Sequence, residues 1–132
     1  MKYFSIKELC ASNTAKLKNI DNTPTPGIEK NLEALIRNVL DPLREAWGRP
    51  ITVNSGYRSP ELNKAVKGSK TSHHMLGMAA DITTGNKADN RRLFQLILDF
   101  KLPFTQLIDE SGFSWVHVSY DPNNLKHQVL KM

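Results

Sequence analysis

The 132-residue sequence predicts an α+β fold in which a small antiparallel sheet has helices packed on one side. Residues that cap helices stand before two short segments, and one longer segment has apolar residues at helical spacing. Short segments in which apolar and polar residues alternate indicate the strands. The length suits a single domain, residues 1–132, that can bury a core without disulfide bonds.

The first helix is indicated by a capping box near the start of the chain. Ser5 and Glu8 have the three-residue spacing in which each side chain can bond a free backbone N–H of the first turn. Phe4 and Leu9 are placed to form a hydrophobic staple across the same turn. We therefore expect a short helix that begins near Ile6.

A longer helix should follow a rigid, proline-containing connection at residues 21–27. From Ile28 onward, apolar residues recur at three- and four-residue spacing and form a stripe that would face the core. These residues are Leu32, Leu35, Ile36, Val39, Leu40 and Leu43. Pro42 lacks a backbone N–H and clashes with the preceding turn, which predicts either a kink or a new helix that begins at Asp41.

Two further helices are predicted in the second half of the chain. Ser59 followed by Pro60 is a favourable N-cap and first-turn pair, and it predicts a short helix that stops at Gly68. The last helix should run from Ala88 to Phe100. Its inward-facing residues are predicted to be Leu93, Leu96, Ile97 and Phe100.

The strands are predicted from short alternating segments. Residues 51–55, 79–83 and 115–120 alternate, and residues 105–109 have a composition compatible with a strand. The segments 105–109 and 115–120 should form a hairpin whose turn contains Ser111 and Gly112.

Composition narrows the classes of function. Lysine and arginine number 18 against 13 aspartate and glutamate residues, for a net charge of +5, and the basic residues are scattered. This pattern favours general attraction to polyanions, and we expect no specific nucleic-acid site. The only cysteine, Cys10, has no partner for an internal disulfide and is expected to pack as a small apolar side chain.

Neither a secretory signal nor a membrane span is expected. The N-terminal residues 1–9 lack the unbroken apolar run of a signal peptide, and no later segment is long enough to cross a bilayer. We therefore expect a protein that is cytoplasmic as synthesised and made without an export tag.

The most informative residues are His74, Asp81 and His117. In a strand at 115–120, His117 would point away from its apolar neighbours and toward a cleft. Asp81 lies among small and apolar residues, where an unpaired carboxylate would be costly and a metal ion would remove that cost. Gly77 lets the chain fold back so that His74 reaches the same point. Two imidazoles and a carboxylate suit a zinc ion with one open coordination position.

Each of these residues also has an ordinary structural interpretation. A single histidine in a strand is more often a hydrogen-bonded residue than a ligand. Asp81 can equally cap a turn or form an ion pair with Arg58, and His73 and His74 can form a solvated loop. Taken one at a time, the residues favour these interpretations.

Taken together, the residues resemble one family. The segment Ser72–Asp81 (SHHMLGMAAD), preceded by residues 55–59 (SGYRS) and followed by Trp115 and His117, resembles the zinc D-alanyl-D-alanine carboxypeptidase family. That family includes phage endolysin peptidases and vancomycin-resistance dipeptidases. The resemblance extends from about Phe4 to Tyr120 and implies the α+β fold shared with the hedgehog signalling domain.

The resemblance implies that His74, Asp81 and His117 bind Zn²⁺, with water in the fourth position. The same ligands would also accept manganese or cobalt. Arg58 matches the arginine that would bind the substrate carbonyl or terminal carboxylate and stabilise developing charge. The alternative for Arg58 is a structural ion pair.

Two further residues, Ser72 and Trp115, are predicted to bind substrate. Ser72 can instead be a loop cap.

One position departs from the family pattern. Many members have a general-base carboxylate three residues before the last histidine ligand, where this chain has Ser114, which cannot act as a base.

Glu110 is our candidate for the missing base. The hairpin turn would bring Glu110 back toward the metal, whereas Asp109 would point to the opposite face. The alternative is that Glu110 is a solvated hairpin residue. Without a base, the enzyme would be weakened or inactive.

The sequence thus predicts a monomeric zinc metallopeptidase that cleaves a peptide bond in the peptidoglycan stem, as a carboxypeptidase or endopeptidase at a D-alanine-containing site. A phage or prophage lysin is the expected setting, in which the protein reaches the cell wall after release through a membrane lesion. One alternative is a zinc-stabilised module that binds wall peptides and is catalytically weak, as Ser114 suggests. Nucleic-acid binding is less favoured because no aromatic and basic cluster accompanies the charge.

Overall fold

The structure is a computed structural model that describes all 132 residues. The helices are α1 (Ile6–Cys10), α2 (Asn13–Leu17), α3 (Pro26–Leu35), α4 (Asp41–Trp47), α5 (Pro60–Ala65) and α6 (Lys87–Asp99). A π-helical turn spans Ile36–Leu40, and a 3₁₀ turn spans His73–Leu76. The strands are β1 (Thr52–Ser55), β2 (Ala79–Thr83), β3 (Gln106–Glu110), β4 (Trp115–Ser119) and β5 (Gln128–Lys131). No helix combines the length and the apolar character that crossing a bilayer requires.

The five strands form one sheet in the order β1-β2-β4-β3-β5. Neighbouring strands are antiparallel except β5, which runs parallel to β3. The prediction of a purely antiparallel sheet is therefore wrong at one edge. The sequence pattern missed β5 because its alternation covers only four residues, and its parallel pairing depends on a crossover past β3 that no local signal shows.

One face of the sheet packs on the helices. Ala80 and Ile82 of β2 and Val116 and Val118 of β4 are fully buried in the same core as the apolar stripe of α3, the π turn and α4. Because side chains alternate along a strand, Asp81 and His117 must point to the opposite face. Each leucine or isoleucine buried in this core contributes about 2 kcal/mol to the free energy of unfolding.

The N-caps predicted at Ser5 and Ser59 are confirmed, whereas the reciprocal half of the capping box, from the Ser5 N–H to the Glu8 side chain, is not formed. Ser5 Oγ accepts a hydrogen bond from the Glu8 N–H, and Ser59 Oγ accepts one from the Leu62 N–H. Ser12 caps α2 in the same way, although the sequence analysis did not predict this five-residue helix.

Pro42 marks the start of a new helical segment, as one of the two alternatives predicted. The chain passes from α3 through the π turn Ile36–Leu40 into α4, which begins at Asp41. Because a π-helical turn is wider than an α-helical turn, the chain reaches Pro42 without needing the N–H that proline lacks.

Two local predictions are wrong in detail, and one predicted turn is longer than expected. Helix α5 ends at Ala65, and Lys67 rather than Gly68 takes the left-handed backbone conformation. Phe100 is 60% exposed, because α6 ends at Asp99 and the chain turns away at Lys101, which takes Phe100 off the core-facing stripe. The β3–β4 hairpin is confirmed, but its turn comprises the four residues 111–114.

One short helical turn reaches the sheet face opposite the core. The 3₁₀ turn brings His74 to the face of β2 that bears Asp81, opposite the core. The mixed α/β architecture agrees with the α+β class, whereas the hedgehog-like fold implied by the resemblance stays a prediction.

Candidate metal centre

Three side chains meet on the sheet face opposite the core. His74 comes from the 3₁₀ turn, Asp81 from β2 and His117 from β4, and one ligand atom of each lies within 4.8 Å of the others. Asp81 and His117 are direct partners in the β2–β4 register. The sheet thus fixes two of the three residues, and the turn adds the third.

The distances within the cluster suit a small metal ion. His117 Nδ1 lies 2.9 Å from Asp81 Oδ1, and His74 Nε2 lies 3.3 Å from Asp81 Oδ2. Ligand atoms at about 2.1 Å from a tetrahedral zinc ion are about 3.4 Å apart. Two imidazole nitrogens and a carboxylate within 4.8 Å of one another form a donor set that fits zinc.

A hydrogen bond sets the tautomer of His74. The Nδ1 atom of His74 lies 2.6 Å from the Gly56 carbonyl oxygen, which accepts only, so Nδ1 carries the proton and donates it. With Nδ1 held in this bond, Nε2 is the nitrogen that faces Asp81 and would bind a metal. A Cβ at Gly56 would lie 2.2 Å from the Leu9 carbonyl oxygen, so only glycine permits this backbone approach.

Asp81 is an ionised carboxylate in a buried position. Burial alone would raise the pKa of Asp81, but the hydrogen bonds from His117 and His74, together with their charge, hold the pKa well below its usual range. Asp81 is therefore ready to bind a cation at neutral pH without first losing a proton.

Arg58 uses its guanidinium group to hold Asp81. Its Nη2 donates to Asp81 Oδ2 at 3.4 Å, its Nη1 to Asn63 Oδ1 at 3.2 Å, and its Nε to Ser55 Oγ at 3.0 Å. The structure thus contains the ion pair that was the alternative for this residue. Each of the three guanidinium nitrogens already has a partner within the protein. Binding of substrate by Arg58 therefore stays a prediction.

The support of Arg58 is a feature that sequence reasoning missed. Asn63 is buried in α5; its Oδ1 accepts from Arg58, and its Nδ2 donates to the Ser69 carbonyl at 2.9 Å. A Cβ at Gly68 would lie 2.1 Å from Asn63 Oδ1. The sequence offers one signal for this contact, because Asn63 is a polar residue on the buried side of the short helix α5.

A cleft of about 440 Å³ opens beside the cluster. Its walls come from the loop before the 3₁₀ turn and from β3, β4 and the β5 segment. The lining residues are Ser69, Thr71, Ser72, His73, Gln106, Ile108, Glu110, His117, Leu130 and Met132. Of the predicted site residues, Ser72, Glu110 and His117 line this cleft, whereas His74, Asp81, Arg58 and Trp115 do not. His73, whose sequence position indicates only a loop, also lines it.

Glu110 lies on the cleft side of β3. It pairs with Trp115 across the hairpin, and its neighbour Ile108 pairs with His117, so all four side chains share one face. Burial raises the pKa of Glu110, and the negative charge of Asp81 adds to the rise. Asp109 lies on the opposite face, where Oδ1 accepts a hydrogen bond from the Phe113 N–H at 2.6 Å.

The two serines have local structural contacts. Ser72 Oγ accepts from the His74 N–H at 3.1 Å, so Ser72 caps the 3₁₀ turn while also facing the cleft. Ser114 donates its hydroxyl to the Ser111 carbonyl at 2.8 Å, within the hairpin turn. Ser114, at the position where many family members have the general base, is therefore a residue bonded within the hairpin turn.

Comparison with known proteins gives two matches. A family model described as Peptidase M15 matches residues 2–119. The zinc D-Ala-D-Ala carboxypeptidase of Streptomyces albus G is 47% identical over 49 residues, which are 36% of this chain and 19% of that protein. The chain thus matches about a fifth of the length of this curated relative. Since the family model covers most of the chain and includes the whole His–Asp–His cluster, this protein belongs to the peptidase M15 family.

Proposed function

We propose that this protein is a zinc peptidase that hydrolyses a peptide bond in the peptidoglycan stem, as a carboxypeptidase or an endopeptidase at a D-alanine-containing site. The observation that carries the proposal is the convergence of His74, Asp81 and His117 beside an open cleft. Membership of a peptidase family and the name of the relative in Streptomyces albus G support the reaction class and the metal.

The metal would be held by Asp81, by Nε2 of His74 and by Nδ1 of His117, the two nitrogens that face Asp81. In such a site zinc supplies Lewis acidity, which polarises a carbonyl group and makes water a stronger nucleophile near neutral pH. Arg58 positions the Asp81 carboxylate through the ion pair, and the Gly56 carbonyl fixes the ring of His74.

Glu110 is the residue proposed to move the proton. In its ionised form the carboxylate accepts a proton from the attacking water and then delivers it to the amine that leaves. A pKa raised by burial and by Asp81 brings Glu110 closer to the operating pH, which suits a group that must both accept and donate. The hydroxyls of Ser69, Thr71 and Ser72 offer hydrogen bonds to a peptide lying in the cleft.

A second candidate is a zinc-stabilised module that binds wall peptides with little or no cleavage. Ser114 favours it, because this residue is bonded within its turn and cannot act as a base. The setting proposed for either function is a phage or prophage lysin that reaches the wall after release. The net charge of +5 would then aid retention on anionic wall polymers.

The test is cleavage of purified muropeptides by the zinc-loaded protein, measured as newly released amines. His74→Ala should abolish both zinc retention and amine release, because it removes one of the three ligands. His127→Asn is the matched control, since His127 lies outside the cluster and asparagine tolerates its left-handed backbone at φ 52°. Sustained release that His74→Ala leaves unchanged would overturn the mechanism, and tight peptide binding without release would favour the binding module.

A further inference from the structure

Strand β5 lies outside residues 2–119, the part of the chain that matches the family model, yet it reaches the cleft. In the sheet register Leu130 pairs with Ile108, Ile108 pairs with His117, and His117 pairs with Asp81. Partners in neighbouring strands lie on the same face of a sheet. A row of four residues therefore leads from Leu130 at the edge to the metal ligands.

The cleft has one apolar wall. Ile108, Leu130 and Met132 line the side formed by β3 and the β5 segment, where Gln106 and Glu110 of β3 also face the cleft, whereas the loop before the 3₁₀ turn contributes the hydroxyls of Ser69 and Thr71. Ile108 is buried and Leu130 is half-buried. The Met132 side chain is 69% exposed. Exposed apolar surface in a concave site next to catalytic groups is typical of a subsite that receives an apolar part of a ligand.

The backbone of this wall is fixed. The Met132 N–H donates to the Asp109 carbonyl at 2.8 Å, and the Met132 carbonyl accepts from the Ser111 N–H at 2.8 Å. Gln106 Nε2 also donates to Gln128 Oε1 at 2.8 Å, which links β3 and β5 at the other end of the strand. The apolar wall is thus held in place before any ligand arrives, which lowers the entropic cost of binding.

We propose that Ile108, Leu130 and Met132 form an apolar subsite for an aliphatic side chain of the peptide substrate, two or three residues from the scissile bond. The proposal rests on the proposed function. Strands are about 4.8 Å apart, so Ile108 lies about 5 Å and Leu130 about 10 Å from the strand of His117. An extended peptide covers these distances in two or three residues.

Val129 provides an internal control for this proposal. It is an exposed apolar residue of the same strand, but it pairs with Leu107, which faces the core side of the sheet. Val129→Ser therefore removes a comparable apolar group from β5 without changing the cleft. An effect on cleavage that is seen in Leu130→Ser but not in Val129→Ser therefore arises from the side of β5 that faces the cleft.

The experiment is a glycine scan of an acetylated stem pentapeptide that ends in D-alanyl-D-alanine, with kcat and KM measured for zinc-loaded wild type, Leu130→Ser and Val129→Ser. At one position near the cleaved bond, wild type should prefer alanine to glycine by about fourfold in kcat/KM, the contribution of one buried methyl group. Leu130→Ser should remove this preference mainly by raising KM, and Val129→Ser should retain it.

The subsite proposal is overturned if the preference for alanine over glycine persists in Leu130→Ser, or if Val129→Ser removes it equally. Either result leaves the peptidase proposal intact. Absence of cleavage by the wild type overturns the peptidase proposal instead. In that case the same peptides are titrated into the zinc-loaded protein by calorimetry. The subsite stands if Leu130→Ser removes the alanine preference in Kd, and it falls if the preference is unchanged or if no peptide binds.

Discussion

Asp81 on β2 and His117 on β4 are direct cross-strand partners, and their side chains meet with His117 Nδ1 at 2.9 Å from Asp81 Oδ1. Their neighbours Ala80, Ile82, Val116 and Val118 are fully buried on the other face. A slip of one residue would move the histidine into the core and the valines out of it, so the core fixes the register of the site. The same hydrophobic burial that stabilises the fold therefore holds two of the three proposed ligands together.

Asp81→Asn tests the carboxylate at the centre of the cluster. The change keeps the shape of the side chain but removes the charge that pairs with the histidines and Arg58. We expect zinc affinity to fall by about 100-fold or more, because asparagine is a much weaker ligand than a carboxylate. Calorimetric titration of zinc measures the change.

Asp99→Asn is the matched control for this substitution, because Asp99 is exposed at the end of α6. Zinc affinity of Asp99→Asn should equal that of the wild type. Equal zinc affinity in Asp81→Asn and the wild type would show that the metal, if bound, lies elsewhere.

Arg58 is expected to act on the metal through Asp81. Removing the guanidinium in Arg58→Ala leaves Asp81 without its ion pair and Asn63 without a donor, so zinc affinity should fall about 10- to 100-fold. Arg58→Lys should recover only part of this loss, because lysine lacks the planar fork that reaches Ser55, Asn63 and Asp81 together.

The readout for Arg58 separates positioning from substrate binding. A positioning residue changes zinc affinity in the absence of peptide, as measured by competition with a chromogenic chelator. If Arg58→Ala binds zinc as the wild type does but shows a raised KM, the residue acts on substrate as the sequence resemblance implied.

Much of this architecture could be predicted from local sequence signals. The caps at Ser5 and Ser59 and the start of α4 beside Pro42 depend on residues within one turn of each other, so the chain itself displays them. The cluster of His74, Asp81 and His117 could be predicted because strand alternation and the family resemblance pointed to the same residues.

The parts that were missed depend on tertiary contacts. Strand β5 exists because β3 offers a free edge, and four residues of alternation do not reveal that pairing. The contact between Asn63 and Arg58 joins a helix to a loop, and neither residue carries a periodic signal. Phe100 was misplaced because the end of α6 is set by the turn at Lys101 rather than by its apolar stripe.

Gly68→Ala tests the support beneath Arg58. The added Cβ would lie 2.1 Å from Asn63 Oδ1 and 2.9 Å from Arg58 Nη1. Asn63 cannot move freely, because it also donates to the Ser69 carbonyl. We expect the free energy of unfolding to fall by about 1–3 kcal/mol, the usual cost of inserting a methyl group into a packed site.

Denaturant unfolding measures the effect of Gly68→Ala, with Gly27→Ala as the control. A Cβ at Gly27 would have no atom within 4 Å, and Gly27 lies in the first turn of α3, so this change should be neutral or stabilise by up to about 1 kcal/mol. Equal stabilities of the two variants would contradict the packing described for Gly68.

Glu110→Gln tests the proposed base through both rate and pH. Glutamine keeps the size of the side chain but cannot accept a proton, so kcat for muropeptide cleavage should fall by about 10²- to 10⁴-fold while zinc affinity stays close to that of the wild type. The base acts as a carboxylate, so wild-type activity should decline as pH falls through the pKa of Glu110. That decline should begin above the range of an ordinary glutamate, because burial and Asp81 raise this pKa.

The decline in rate at low pH, the acid limb of the pH–rate profile, should be absent from the residual activity of Glu110→Gln. That variant has no carboxylate to titrate at this position. Glu61→Gln is the control, since Glu61 is an exposed residue in the first turn of α5, outside the cleft. Glu61→Gln should keep both the wild-type kcat and the wild-type acid limb. An unchanged kcat in Glu110→Gln would assign the proton transfer to another group, and His73 is then the remaining titratable residue of the cleft outside the proposed ligands.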